Sequence, residues 1–166
     1  MRDWIETERT RIRPFEPGDA EASFAWFSDA EVMKFIPNGP DATLEDTRWR
    51  IAWYCEHEAR FGFSKRLIIH RETGQAMGDA GLFHLPDGER IELGFRLARP
   101  WWGAGYALEV GRAWLSWFDE HVPGEPLFAD VHADHVRSQS VLARLGFASS
   151  HSELVHGMPM MIYCRS

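Results

Sequence analysis

The sequence lacks three features that would each indicate a particular class of protein. Only two cysteines occur, Cys55 and Cys164, and they lie far apart without a CxxC pair, so free thiols in a reducing compartment are expected. No run of about 18 uncharged apolar residues occurs, so no membrane-spanning helix is predicted. The 18 lysines and arginines form no basic cluster and the net charge is -7, so neither nucleic acid nor a membrane surface is expected as a partner.

A signal-peptide pattern is missing as well. The opening residues, MRDWIETERTRIRPF, carry charges where a signal peptide has an apolar run, so we expect a cytoplasmic protein. At 166 residues the chain fits a single domain over residues 1–166, because chains usually divide only beyond about 250 residues. Hydrophobic residues make up 45% of the chain and charged residues 26%, as is typical of folded proteins.

Helix and strand patterns alternate along the chain and predict a mixed α/β sheet. Thr43 is placed to cap a helix that runs to about Arg60, with acidic residues in its first turn, where the helix dipole favours them. The other predicted elements are a strand at RTRIRPF, a helix at PGDAEASFAWFSD, strands at SKRLIIHRE, QAMGDAGLFHL and RIELGFRLA, a helix from about Gly105 to Glu120, a strand at PLFADVHA, a helix at VRSQSVLARL and a final strand or pair near MPMMIYC.

The stretch RPWWGAGYALE, which begins at Arg99, follows one of these strands and opens a helix. Backbone N–H groups left free at a helix start bind anions, and glycines allow a phosphate to approach the main chain closely. The loop is therefore a candidate phosphate site. The alternative is a tight turn in which Trp101 and Trp102 fill the core.

Four segments together resemble the GNAT superfamily of acetyl-CoA-dependent N-acetyltransferases. Residues 102–107, WGAGYA, resemble its pyrophosphate loop, Q/R-x-x-G-x-G/A, and a tryptophan in the first position with a glutamate at Glu109 is similar to the RimJ/RimL-like branch. The other three are the opening strand and helix TERTRIRPFEPGDAEASFAWFSDAEVMKFI, the strand RIELGFRLARP and the segment HADHVRSQSVLARLGF, which is similar to N-x-x-S-x-x-V-L-x-K-L-G-F.

The resemblance implies an α/β fold with a mixed, mostly antiparallel central sheet, splayed central strands and flanking helices. It implies acetyl-CoA as co-substrate and no metal. The central strand would carry a bulge near Leu97, and its free backbone groups would pair with the pantetheine arm. The coenzyme-binding residues implied in this way are Phe95, Leu97, Trp102, Gly103, Ala104, Gly105, Tyr106, Ala107, His135 and Ser138.

Two residues are the candidate catalytic groups that the resemblance implies. Glu92 would act as the base, through water, and its alternative is a strand carboxylate paired with Arg90 or Arg96. Glu153 is a reserve candidate for the same role. Ser138 would donate a hydrogen bond to the leaving thiolate, and its alternative is a helix-surface serine that bonds a nearby carbonyl.

Three positions depart from the family pattern or allow another explanation. Leu142 stands where many GNAT enzymes have a tyrosine, and His135 stands where the motif has asparagine, although imidazole can also donate a hydrogen bond. His132 and His135 could suggest a metal site with Asp130 and Asp134, but no fourth ligand is defined by their spacing.

The activity implied is transfer of an acetyl group to a primary amine, either a peptide N-terminus or a small molecule, by a monomer or homodimer. Phe35, Trp49 and Trp53 fall in the region that builds the acceptor pocket in relatives, although helical packing would also explain the two tryptophans. The alternatives are a non-catalytic acyl-CoA-binding module and a phosphate-binding scaffold unrelated to acyl transfer.

Overall fold

One sheet organises the chain in the computed structural model, which describes residues 4–166. Among these residues eight strands lie in the order β1-β2-β3-β4-β5-β6-β8-β7. The strands are β1 Ile5–Glu6, β2 Thr10–Pro14, β3 Lys65–His70, β4 Ala76–His84, β5 Ile91–Leu97, β6 Leu127–His132, β7 Ala148–Val155 and β8 Met158–Arg165. The helices are α1 Ala20–Phe27, α2 Leu44–Phe61, α3 Tyr106–His121 and α4 Val136–Arg144.

Every neighbouring pair of these strands is antiparallel except β5 and β6, which are parallel. The prediction of a mixed, mostly antiparallel sheet with flanking helices is therefore confirmed.

Local chemistry accounts for the helix boundaries that the sequence predicts. Thr43 caps α2 by accepting from the backbone N–H of Asp46 at 3.2 Å, while the Asp46 carboxylate accepts from the Thr43 N–H at 3.0 Å. The helix ends at Phe61, and Gly62, which follows as its C-cap, adopts a φ of +79°.

The bulge expected near Leu97 is not found, and this prediction was wrong. Strands β4 and β5 pair one to one from Gly78/Leu97 to His84/Ile91. The pairing continues past Leu97 because the Ala98 N–H donates to the Met77 carbonyl. A register shift lies instead between Ile68 and Ile69, where β3 pairs with β4.

Apolar layers cover both faces of the sheet. Helices α3 and α4 cover one face, where Trp114, Phe118 and Leu142 are buried, and α1 and α2 cover the other with Trp26 and Ile51. We call these the α3/α4 face and the α1/α2 face. Successive side chains of a strand point to opposite faces, so each central strand contributes to both layers.

A buried ion pair ties the α1/α2 face together. The Arg96 guanidinium on β5 lies 2.7 Å from the fully buried Asp79 carboxylate on β4. Trp26 of α1 donates its indole N–H to the same carboxylate at 3.1 Å, and Arg96 donates to the Tyr54 hydroxyl of α2 at 2.9 Å. Arg96 therefore bonds Asp79 and Tyr54 in the core and does not pair with Glu92.

Candidate active site

Strands β5 and β6 diverge after a single paired position. Within residues 4–166, the only register pair between these two strands joins Glu92 to Phe128. Beyond this pair the two strands separate, and we call the space between them the fork. This confirms the expected splay of the central strands. Strand β5 also carries Phe95, which is half-buried and packs against the α3/α4 layer, and Leu97, which is buried in the same layer.

The coenzyme loop, residues 102–107, follows β5 and includes the first two residues of helix α3. Trp102, Gly103, Ala104 and Gly105 are exposed, whereas Tyr106 is buried. Gly103 and Gly105 adopt φ values of +76° and +82°, a left-handed conformation that side chains other than glycine rarely take. These two residues bring the chain around so that α3 begins directly after the exposed turn.

The loop and the first turn of α3 present a row of free donors. Within residues 4–166, the backbone N–H groups of residues 103–108 have no hydrogen-bond partner, and the first helical bond is donated by Glu109 to the Gly105 carbonyl at 3.1 Å. No Cβ-sized obstacle lies near Gly103, and only an Arg9 guanidinium nitrogen approaches Gly105, at 3.7 Å from where a Cβ would be. Unpaired amides at an exposed helix start are suited to an anion such as pyrophosphate.

Trp101 and Trp102, at the start of the coenzyme loop, differ in their surroundings. Trp101 is half-buried and stacks on His70 with ring centroids 5.0 Å apart. Trp102 is 37% exposed, and its indole N–H donates to the Leu97 carbonyl at 2.7 Å. The guanidinium of Arg137, on α4, lies 5.2 Å from the centre of the Trp102 ring. Trp102 therefore lines the surface between the loop and α4 and does not fill the core.

An ion pair from the N-terminal segment fixes the start of α3. Arg9 lies 2.7 Å from the Glu109 carboxylate, which also accepts from the Thr7 hydroxyl at 2.6 Å. The Arg9 guanidinium stacks over the Tyr106 ring at 3.9 Å. The half-buried Ala107 packs against the α3/α4 layer. These contacts hold the first helical turn, and with it the free amides, in one position.

Glu92 lies at the origin of the fork. It is half-buried, and its alternation with Leu93 directs it to the α1/α2 face. Neither predicted partner is bound to it, because Arg90 pairs with Asp87 at 2.6 Å and Arg96 pairs with Asp79. Within the described chain no hydrogen bond or ion pair involves the Glu92 carboxylate. The carboxylate is free to act on a ligand.

Asp130, on β6, is a second unpaired carboxylate at the fork. Its Oδ1 atom is buried and has no hydrogen-bond partner among the described residues. Burial, and then the negative charge of Glu92, raise the pKa of Asp130 to about 6. The sequence singles out Asp130 only as a conceivable metal ligand, because the pairing of β5 with β6 is invisible in the linear pattern.

Ser138 and His135 form a unit at the start of α4. His135 is the N-cap of this helix, and its Nδ1 accepts from the Ser138 N–H at 3.4 Å. Since Nδ1 accepts, the neutral ring carries its proton on Nε2, which donates to the Ser138 hydroxyl oxygen at 3.1 Å. Burial, followed by the charge of Arg137, lowers the pKa of His135 and favours this neutral form. Ser138 thus bonds an imidazole rather than the carbonyl of the alternative, and its own hydroxyl proton stays available.

The remaining candidates are placed away from this arrangement or are engaged elsewhere. Glu153 is on the exposed strand β7, where its carboxylate lies 2.7 Å from His151 Nε2. Leu142 is buried in the α3/α4 layer, as expected of an apolar side chain at that position. Among residues 4–166, no group of three or more His, Cys, Asp or Glu side chains is arranged to hold a metal ion. In the same part of the chain, no helix is both long and apolar enough to cross a membrane.

Aromatic residues surround the α1/α2 side of the fork. Phe35, in the segment between α1 and α2, packs against the rings of His132 and His135 at centroid distances of 4.9 and 4.7 Å. Trp53 contacts Phe83, the residue paired with Glu92, at 4.6 Å. Trp49 stacks on Trp53 and is 70% exposed, so core packing does not account for Trp49.

Comparison with known proteins agrees with this geometry. Residues 9–148 match the family model described as an acetyltransferase (GNAT) domain. The uncharacterized protein YkkB of Bacillus subtilis (strain 168) is 28% identical over 165 residues, which cover 97% of this chain and 94% of that protein. The uncharacterized N-acetyltransferase p20 of Bacillus licheniformis is 28% identical over 145 residues, covering 86% of this chain and 81% of that one.

Solved structures show the same fold. The crystal structure of a GNAT-family acetyltransferase from Bacillus anthracis has a TM-score of 0.85 at 24% identity and covers 98% of both chains. RimL, a ribosomal L7/L12 alpha-N-protein acetyltransferase solved in complex with coenzyme A, has a TM-score of 0.81 at 14% identity, covering 98% of this chain and 97% of that one. Because the family model spans most of the sequence and the fold agrees, the protein belongs to the GNAT family of acetyltransferases.

Proposed function

We propose that this protein transfers the acetyl group of acetyl-CoA to a primary amine, which attacks the thioester directly. The observation that carries the proposal is the free Glu92 carboxylate at the origin of the fork, on the strand that leads into the coenzyme loop. An amine must be neutral to attack, and an alkylamine with a pKa near 10 is only about 0.1% neutral at pH 7. A base at the fork reduces this handicap.

Coenzyme A would bind along the diverging edge of β5. The pantetheine arm would follow Phe95 and Leu97, and the pyrophosphate would accept from the free N–H groups of the coenzyme loop. Each such interaction with a helix N-terminus contributes about 0.3–1 kcal/mol. In this arrangement Trp102 and His135 border the coenzyme.

Ser138 is proposed to stabilise the leaving thiolate. The C–N bond forms as the C–S bond breaks, and negative charge develops on sulfur. The hydroxyl proton of Ser138 is available for that sulfur because His135 donates to the Ser138 oxygen. This role replaces that of the tyrosine, whose position is Leu142 here.

The acceptor is proposed to enter over the α1/α2 face, past Phe35 and the Trp49–Trp53 stack. Both a peptide N-terminus and a small-molecule amine fit this proposal. An α-amine, with a pKa near 8, needs less help from a base than an alkylamine does.

The free thiols of Cys55 and Cys164 support a reducing compartment, so we extend the proposal to a cytoplasmic enzyme.

The experiment is a turnover assay with acetyl-CoA and a panel of amines: peptides with varied N-termini, polyamines and aminoglycosides. Loss of the thioester absorbance is the preferred signal, because the thiols of Cys55 and Cys164 would react with a thiol dye. Turnover with one acceptor class is expected and names the substrate type. Binding of acetyl-CoA without turnover on any amine would contradict the proposal.

Glu92→Gln tests the assigned base within the same assay. We expect kcat to fall at least tenfold while the Kd of acetyl-CoA changes little, because general bases typically contribute a factor of about 100 or more. Glu120→Gln, which makes the same change at an exposed position of α3, is the matched control. An unchanged kcat in Glu92→Gln would remove Glu92 from the mechanism.

A further inference from the structure

Lys65 extends from β3 towards the fork across the α1/α2 face of the sheet. On β3 it pairs with Gly81 of β4, which in turn pairs with Gly94 of β5, so the three residues form one row across the sheet. Neither glycine has a side chain, and the lysine extends over both. A Cβ on Gly94 would collide with the Lys65 ammonium, which places that group directly beside β5.

Asp130, on β6, lies in line with this row on the other side of the fork. The last paired position of β5 and β6 is Glu92/Phe128, and two residues further along each strand lie Gly94 and Asp130. These two do not pair, because the strands have already separated. Leu127, Ala129 and Val131 are buried in the α3/α4 layer, so Asp130 points to the other face, as Glu92 does.

Three ionisable groups therefore surround one space, and none has an ion-pair partner. The described chain contains no ion pair of Lys65, Glu92 or Asp130, in contrast to the neighbouring Asp79–Arg96 pair. Lys65 is only 7% exposed, yet its ammonium makes a single long hydrogen bond of 3.4 Å to the Gly81 carbonyl. Leaving a buried polar group unsatisfied costs about 1–3 kcal/mol, so this arrangement calls for a functional explanation.

The charges around Asp130 suit a proton acceptor at near-neutral pH. Its pKa is raised to about 6, first by burial and then by repulsion from Glu92. A base whose pKa lies close to the working pH is the most effective in proton transfer. The other charged groups that act on Asp130 are Arg90, which lowers its pKa, and Glu153 and Asp87, which raise it. Burial lowers the pKa of Lys65, and the negative charges of Glu92 and Asp130 oppose that shift.

We propose that Asp130 is a second catalytic residue, which shares with Glu92 the removal of protons from the acceptor amine, and that Lys65 is a positioning residue for the two carboxylates. This inference rests on the proposed function. The acceptor ammonium gives one proton to Asp130, and the neutral nitrogen attacks the thioester carbon. Glu92 takes the second N–H proton as the C–S bond breaks. One of the two protons then passes to the thiolate, which gives coenzyme A, and the other leaves the carboxylates for solvent.

The kinetic test is Asp130→Asn, which preserves shape and removes the proton-accepting oxygen. We expect kcat to fall about 100-fold, with the Kd of acetyl-CoA unchanged within about twofold. Asp134→Asn is the matched control, because its side chain is 83% exposed on the turn after β6, and it is expected to keep full kcat. If Asp130→Asn retains wild-type kcat with the amine that the wild type acetylates, this inference is overturned while the proposed function stands. If the wild type acetylates no amine, both are overturned.

A second test needs no turnover, and its first step needs no variant. The 13C-NMR signal of the Asp130 carboxyl carbon, followed as a function of pH in the free wild-type protein, is expected to give a pKa of about 6. Glu92→Gln is expected to lower this pKa by removing the repulsion. Lys65→Met is expected to raise it by removing a cation, and an unchanged pKa in Lys65→Met would overturn the assigned role of Lys65. A wild-type pKa at or below about 4, the ordinary value for aspartate, would overturn the inference whatever the assay shows.

Discussion

Asp79 is the residue on which the packing of the α1/α2 face depends most directly. Its fully buried carboxylate is the counter-charge of Arg96 and the acceptor of the Trp26 indole. In Asp79→Asn the Arg96 guanidinium would remain buried without a negative partner. Removing one member of a buried pair typically costs about 3–5 kcal/mol, and we expect a loss of this size in the free energy of unfolding measured with urea.

An exposed ion pair provides the control for this prediction. Asp119 lies 2.7 Å from Arg165, but 54% of its side chain is exposed. Exposed pairs contribute at most about 1 kcal/mol, so Asp119→Asn is expected to cost less than that. Similar losses of unfolding free energy in the two variants would mean that burial does not make the Asp79–Arg96 pair more important for stability than an exposed pair.

The residues of the candidate site differ in how far the sequence could predict them. Glu92 and Ser138 stand in recognisable motifs, and the structure leaves Glu92 unpaired and gives Ser138 a free hydroxyl proton, although their roles stay predictions. Lys65 and Asp130 belong to no motif. They approach Glu92 only because β3, β4, β5 and β6 are neighbours in this register, which a linear pattern does not contain.

Among the elements, the coenzyme loop offers the sharpest test, through Gly105→Val. A β-branched residue would be strained at φ +82° and would carry its side chain into the exposed turn beside the free amides. We expect the affinity for coenzyme A, measured by calorimetry, to fall at least tenfold, which corresponds to about 1.4 kcal/mol.

Gly124→Val separates the loss of binding from backbone strain. Gly124 has nearly the same φ, +83°, and open space around it, but it lies between α3 and β6, outside the coenzyme loop. Both variants should lose stability, whereas only Gly105→Val should lose coenzyme affinity. Equal Kd values for the two variants would show that the phosphate site lies elsewhere.

Most of the elements were predictable because their signals are local. The Thr43 cap, the alternation around Glu92 and the glycine before α3 each act within a few residues. The short strand β1 was not predicted, since two residues carry no periodicity and pair only because β2 is present. The absent bulge near Leu97 is a similar case, because a bulge depends on the partner strand rather than on the strand's own sequence.

At the scale of the whole molecule, ionisable groups determine how stability changes with pH, and His57 is the clearest case. Its Nδ1 lies 2.7 Å from the Phe63 carbonyl, which can only accept, so Nδ1 carries the proton. Nε2 must then accept from His84, whose Nδ1 lies 3.0 Å away. Burial lowers the pKa of both histidines.

The sign of the effect follows from proton linkage. A histidine with a lowered pKa binds fewer protons in the folded than in the unfolded chain, so its contribution to stability rises with pH and is lost as pH falls below about 6.5. The raised pKa of Asp130 acts in the opposite direction between about pH 4 and pH 6. A single stability curve therefore mixes the two effects, and the contribution of His57 must be read from a difference between proteins.

His57→Gln isolates that contribution. Glutamine does not titrate, so the variant is expected to lose less unfolding free energy than the wild type when urea denaturation is repeated between pH 7 and pH 5. His156→Asn is the control: this residue is exposed, and asparagine tolerates its φ of +49°. The control should follow the wild-type slope. If His57→Gln also follows that slope, protonation of His57 is not what weakens the fold in acid, and the explanation must lie with other groups of lowered pKa, among them His84 and His135.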